Sequence, residues 1–262
     1  MGISARGGEL SGGRWLDIPP ERIVNWLSAF AARHGVADIV PVAAAVRYLG
    51  ADGAIAECHM PFPPLSWPGG TTPGTPSQES GPGGPPSGSA DGLEGADPAE
   101  VAKRIAAHAA ADRTVGVLLV RLGGYAAGVF SGAPPRLAAS KTGARLVHGR
   151  SAAGGTSQQR FARRREKQAS QALTAAADAA LAVFEPFAGR LDAVVLGGDR
   201  LAIGRVRDDD RLGPFLDLAV ERFLTVPEPR LTVLRDAPRL FRAVRIRLME
   251  PAREGPGVRR AG

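Results

Sequence analysis

Residues 63–97 are dominated by Pro, Gly, Ser and Thr and hold little that a core would bury. A segment of that composition cannot hide enough apolar surface to offset the entropy of ordering it, so it predicts a linker or a long disordered loop. As a random coil its ends would lie on the order of 30 Å apart. The chain of 262 residues is therefore expected to divide there, into a small block at 14–62 and a larger one at 98–250. Residues 1–13 and the basic, glycine-rich 251–262 read as disordered tails.

The smaller block begins with punctuation at Asp17 to Pro20, after which Ile23, Trp26, Leu27, Phe30 and Ala31 recur at helical spacing. Arg33 and His34 followed by Gly35 mark the helix end: cations in the last turn, then a residue free to turn back. Residues 39–48 and 54–60 predict two strands about a turn at 50–53. In the larger block, Pro98 opens a helix to about residue 111. Strands are expected at 114–121, 125–130 and 137–148, a long helix from about Gln158 to Ala188, and a buried strand at 191–196 ending in Gly197-Gly198-Asp199-Arg200. Beyond it the spacing predicts helices around Leu201 and over 215–224, a short β-like stretch at 231–234, a short helix at 238–241 and a last strand at 243–248. That order predicts an α/β (α+β) class, a mixed twisted sheet with flanking helices, with the N-terminal helix and hairpin as a smaller segment.

Composition narrows the function classes. Hydrophobic residues make up 44% of the chain but aromatics only 5%, so Ala, Val and Leu must fill the core. One cysteine, Cys58, leaves no internal disulfide. No apolar run approaches the roughly 18 residues of a membrane-spanning helix, and residues 1–13 lack the apolar centre of a secretory signal. A soluble cytoplasmic monomer with no membrane attachment is expected. The net charge of +7 favours an anionic partner. Arg-rich composition also follows from a GC-rich genome, so the clustering of the charges matters more than their sum.

The charges cluster at 149–168, GRSAAGGTSQQRFARRREKQ. Small residues and glycines, including Gly154 and Gly155, lead to a polar tip of Thr156, Ser157, Gln158 and Gln159. Arg160, Arg163, Arg164, Arg165 and Lys167 follow. Arg160, Arg163, Arg164 and Lys167 stand at i, i+3, i+4 and i+7, which is one helical face. Like charges at i,i+4 repel by a few tenths of a kcal/mol each. With only Glu166 acidic nearby, either solvent or an external anion offsets them. Lys141, Arg145 and Arg150 stud the approach to the loop. Such a glycine loop lets backbone approach a ligand closely, and the basic stem supplies phosphate affinity independent of sequence. Glutamine cannot serve as a general base, but it can position a water or donate to a developing oxyanion.

Other chemistries find less support. GxxxxGK[ST] and GxSxG are absent, and the glycines at 123–128 have neither the GxGxxG spacing nor a helix after them. Gly197-Gly198-Asp199-Arg200 lies where α/β ligand sites often form, yet a tight turn with Asp199 capping the next helix accounts for it better. His34, His59, His108 and His148 share no metal-ligand spacing with each other or with Cys58, so no metal or cofactor is expected. Cys58 and His59 are strand neighbours that point to opposite faces, which makes Cys58 a buried thiol rather than half of a nucleophile pair. Asp208-Asp209-Asp210 reads as a solvated loop before it reads as a cation site.

GGTSQQRFARRRE (154–166) resembles the GGQ-containing loop and helix in the middle domain of eukaryotic and archaeal class 1 peptide release factors. With KTGARLVHGR (141–150), LGGDR (196–200), VPEPR (226–230) and WLSAFAARHG (26–35), the chain is more similar still to the actinobacterial form of the Vms-like release factor family. The likeness covers roughly 15–62 and 98–250. It implies a fold like that middle domain and a peptidyl-tRNA hydrolase that acts at the peptidyl-transferase centre of the large subunit. The implied partners are rRNA and the peptidyl-tRNA acceptor end. It further implies loop glycines at Gly154 and Gly155 and a catalytic glutamine at Gln158, with Gln159 the second candidate. The pattern departs in one respect: a register fixed on Arg160-Phe161 sets Thr156, not Gln158, at the position of the release-factor glutamine. No decoding motif is visible, so the implied action is independent of the codon, as in ribosome rescue and quality control. Two alternatives stay open: cleavage of the tRNA near its CCA end, and a non-catalytic factor that binds ribosomes or RNA.

Overall fold

The computed structural model describes residues 13–42, 44–65, 93, 95–121, 123–144 and 157–251, with the backbone alone at 157–167 and 169. The chain forms two compact units: residues 1–109 with 243–262, and residues 110–242. The division departs from the expected larger block at 98–250. The helix after the linker and the last strand both belong to the first unit. Residues 1–12 and 252–262, and most of 63–97, lie outside the described residues.

The first unit is one antiparallel sheet with two helices on one face. Its elements are β1 (Arg14–Ile18), α1 (Pro20–His34), β2 (Val36–Val42), β3 (Ala45–Gly50), β4 (Ile55–His59) and α2 (Pro98–Ala110), closed by the final strand β10 (Val244–Met249). The strand order is β1-β10-β4-β3-β2, so the strand from the far end of the chain sits inside the sheet. Alternation assigns the faces. Tyr48, Ala56, Cys58, Val244, Ile246 and Leu248 point inward against Ile23, Leu27 and Phe30 of α1 and Val101, Ala102 and Ile105 of α2. Gly35, at φ +59, ends α1 and returns its N–H to the Ala31 carbonyl, as the sequence indicates. The Tyr48 hydroxyl donates to the Pro98 carbonyl at 3.1 Å and ties down the start of α2. Two expectations change here. The apolar run 39–48 is two strands, with Val42 paired to Ala45 across a tight turn. Residues 14–18, where no strand was expected and whose last two were read as a helix start, form β1 because β10 offers them a partner.

The second unit is a mixed sheet with helices on both faces. It comprises β5 (Val115–Arg121), β6 (Gly124–Ser131), β7 (Arg136–Ala144), α3 (Ser157–Phe184), β8 (Ala193–Gly198), α4 (Arg200–Arg207), α5 (Gly213–Leu216), β9 (Ala219–Leu224) and α6 (Leu231–Phe241). The order is β7-β6-β5-β8-β9, antiparallel from β7 to β5 and parallel from β5 through β8 to β9. Ala176, Ala180, Phe184, Ile203 and Val206 pack on one face over Leu118, Val120, Val194 and Leu196. On the other face Phe241 meets Phe130 edge-on, with centroids 5.9 Å apart. The mixed α/β class expected from the element order is therefore present. Locally, residues 215–224 are not one helix: they hold the end of α5 and then β9. Residues 231–241 form one helix, with Pro238 inside it, in place of a β-like stretch and a short helix.

Candidate functional site

α3 dominates the second unit. Its sequence has no Gly and no Pro and is rich in Ala, Gln and Arg, all good helix formers. Its buried residues, Ala176, Ala177, Ala179, Ala180, Leu181, Val183 and Phe184, all lie in the C-terminal third. None of the side chains described before Ala176 is buried, and Ser170, Gln171 and Thr174 are exposed. At 1.5 Å per residue, the axis from Ser157 to Ala176 runs about 28 Å. The C-terminal part of α3 is thus clamped to the sheet.

The candidate residues fall unevenly on this scaffold. Ser157, Gln158, Gln159 and Arg160 form the first helical turn, so Ser157 and both glutamines begin the helix instead of forming a loop tip. Arg163, Arg164, Arg165 and Lys167 occupy the next two turns. The first N–H groups of a helix have no intrahelical acceptor, and the macrodipole places partial positive charge there. No acidic residue stands in the first turn of α3 to offset it. Lys141 is exposed on β7, which leads out toward the loop. Arg145, Arg150, Gly154, Gly155 and Thr156 lie outside the described residues.

Two glycine positions shape the base from which α3 and the loop extend. Gly143 on β7 lies beneath Tyr125, and a Cβ there would strike the Tyr125 ring. Gly198 ends β8 at φ +101, and a Cβ there would collide with the Val120 carbonyl of β5. The Gly197-Gly198-Asp199-Arg200 turn is the capped turn that its sequence suggests. Asp199 Oδ1 accepts from the N–H groups of Leu201 at 2.8 Å and Ala202 at 3.1 Å. The Arg121 guanidinium, at the end of β5, donates to the Val226 carbonyl at 2.9 Å.

The remaining reactive groups are held in structural roles. Cys58 is fully buried; burial pushes its thiol up in pKa, and the neighbouring Glu57 charge adds to the effect. His59 lies on the open face of the sheet. There it accompanies Trp15, whose ring carries the Arg245 guanidinium at 4.4 Å. Glu57, only 8% exposed, pairs with Arg47 and, at 2.7 Å, with His59. Burial raises its pKa, but the hydrogen bonds from Arg47 and His59 outweigh burial and leave it below its usual value. In the run Asp208-Asp209-Asp210, Asp209 takes the Arg211 guanidinium, which also reaches Asp178 at 2.9 Å. Among the described residues no three His, Cys, Asp or Glu side chains converge as metal ligands.

Residues 113–247 match the family model described as the Actinobacteria/chloroflexi VLRF1 release factor. No protein of curated function matches the chain. Among solved structures, it is similar to the archaeal translation termination factor aRF1 at 14% identity and a TM-score of 0.36, over 49% of this chain and 36% of that one. It is similar also to a structure described as an archaeal protein, at 12% identity and a TM-score of 0.34, over 85% of this chain and 62% of that one. A third likeness is to the Vms1 mitochondrial localization core, at 10% identity and a TM-score of 0.31, over 86% and 80%. The chain thus spans less than two thirds of the first two.

Proposed function

The chain belongs to the Actinobacteria/chloroflexi VLRF1 release factor family, and on that premise we propose that it is a codon-independent peptidyl-tRNA hydrolase that frees nascent chains on stalled ribosomes. The observation that carries the reading is α3. It is a 28-residue helix whose C-terminal part is buried against the sheet, with Gln158 and Gln159 in its first turn directly after the Gly154-Gly155 loop. A probe of that length, basic along one face, suits a narrow site walled by phosphates. Arg160, Arg163, Arg164 and Lys167, with Lys141, Arg145 and Arg150 nearer the base, dock on rRNA and the tRNA acceptor end. Arg165 adds to the basic stem. The protein acts as a cytoplasmic monomer on the large subunit.

In the reaction, a water oxygen attacks the ester carbonyl carbon. The tetrahedral oxyanion then collapses and expels the ribose oxygen, which takes up one proton of the attacking water, and the other passes to solvent as the new carboxyl group ionises. The products are a free peptide carboxylate and an intact tRNA. Gln158 or Gln159 holds the water in line with the carbonyl. The glycine loop and the unpaired N–H groups of the first helical turn, with Thr156 and Ser157 beside them, supply donors to the oxyanion. No step requires a metal or a titrating side chain, which suits a site whose glutamines have no useful pKa.

The test is release of peptidyl-tRNA from stalled large subunits by wild type, Gln158→Ala, Gln159→Ala and the double variant. Loss of one preorganised group costs on the order of 3 kcal/mol, roughly a hundredfold in rate. One single variant should show that loss and the other little. Equal release by wild type and the double variant overturns the reading and leaves a binding factor. Shortened tRNA among the products replaces ester hydrolysis with cleavage near the CCA end.

A further inference from the structure

A cavity of about 420 Å³ opens in the second unit where β5 and β8 end side by side, beneath α3 and α4. Its walls are apolar: Val120, Leu173 and Ala202, with Tyr125 laid flat over Gly143 as one side. At its lip stands Leu201, 83% exposed and the most exposed large apolar side chain among the described residues. A single exposed leucine is ordinary, but one set at the mouth of an apolar cavity joins it in a candidate contact site.

The polar groups at the cavity are cationic in sum. Arg121 is held by its hydrogen bond to the Val226 carbonyl, a neutral acceptor that leaves its charge in place. Arg205 lies one helical turn after Leu201 on α4, exposed, and also lines the cavity. The lone carboxylate, Asp199, is committed to the first N–H groups of α4. A nucleobase would find a single aromatic wall and few hydrogen-bonding groups there, whereas an aliphatic or aromatic side chain would find matching surface. We propose that this cavity is the docking site for a partner protein, which inserts one large apolar side chain carried on an acidic, extended segment. The acidic flanks meet Arg121 and Arg205, and the apolar anchor packs against Leu201, Leu173 and Tyr125. The α3 residues at the site, Ala172, Leu173 and Ala175, lie mid-helix, about 20 Å along the axis from Gln158 and Gln159, so changes at Leu201 and Arg205 leave the glutamines untouched.

The experiment titrates the full chain into a short fluorescent peptide of Asp and Glu residues around one central Phe, followed by anisotropy. Leu201→Glu and Arg205→Glu are the informative variants because both positions are exposed and neither supports the core. Each should weaken binding at least about tenfold at unchanged thermal stability, and so should replacing the probe's Phe with Ser. Arg239→Glu, an exposed charge change on α6, should alter binding less than threefold. The proposal is overturned by any of four results: no saturable binding; binding indifferent to Leu201→Glu; an Arg239→Glu loss equal to that of Arg205→Glu, which makes the attraction bulk charge; or displacement of the probe by adenosine monophosphate at equal concentration, which makes the cavity a nucleotide site. A dimer in sedimentation that Leu201→Glu dissolves would assign the lip to a second copy and also overturn it.

Discussion

Two glycines show how differently one residue type is used. Gly198 combines φ +101 with a close approach to the Val120 carbonyl, so Gly198→Ala meets backbone strain and a collision together. Its expected cost is roughly 2–4 kcal/mol in urea unfolding. Gly204, inside α4, has open space at its Cβ. Gly204→Ala should therefore stabilise by about 0.5–1 kcal/mol in the same assay, because Ala is the better helix former. Glu57 gives a prediction in pH. Its carboxyl is held below its usual value in the fold, since the Arg47 and His59 hydrogen bonds outweigh burial. A carboxyl with a depressed folded pKa adds stability that is complete above its unfolded pKa, about 4.3, and is lost as pH falls through the folded value. Glu57→Gln should therefore flatten the fall of melting temperature below about pH 4.5 while changing its pH dependence little above pH 6. The alternation at Cys58 and His59 was legible at this scale: one buried, one on the open face. The Arg47 and Trp15 partners of that neighbourhood were not, because they come from strands that meet only in the sheet.

Among the elements, those with strong internal signals were legible. α1 shows helical spacing, a proline start and a glycine end. β5 and β8 are short apolar runs bounded by glycines or charges. α3 has helix-forming composition along its whole length. The misread elements are those whose state is set by a neighbour. Residues 219–224 carry helix-compatible spacing but form β9, because β8 offers a parallel edge on which Phe223 faces Leu196. Residues 231–241 hold a proline that argues for a break. They stay helical because Leu234, Ala237 and Phe241 bury one face of α6. Phe184, near the C-terminal end of α3, is fully buried, and Phe184→Ala should cost about 3–5 kcal/mol by chemical denaturation. At the other end of α3 the expected effect is on binding. If Arg163 and Arg164 each neutralise one phosphate, replacing both with Gln should lower the slope of log affinity against log salt for ribosome binding by up to about 2. An unchanged slope would remove those two side chains from the interface.

At the scale of the whole molecule, the chain leaves the first unit, completes the second, and returns to the first for one strand. β10 lies between β1 and β4, so its loss opens the sheet in the middle, not at an edge. Deleting residues 243–262 should therefore unfold the first unit, while residues 110–242 made alone should fold cooperatively with mixed α/β circular dichroism. A dispersed amide spectrum for the first deletion would contradict this. The unit boundary falls after α2, not at the proline- and glycine-rich stretch. By itself the sequence determined the helix-forming character of α3, the clustering of its basic residues on one face, the glutamines that follow the glycine loop, and the mixed α/β class. These rest on local composition and on periods of 2 and 3.6 residues, which any stretch of chain carries within itself. Tertiary structure alone decided that the stretch of α3 from Ala176 to Phe184 is the part buried against the sheet. It also decided that residues 243–248 belong with residues 14–59, and that Leu201 stands over an apolar cavity. Each of those depends on contacts between residues distant in sequence, and no local pattern encodes which distant strand or helix will supply the partner.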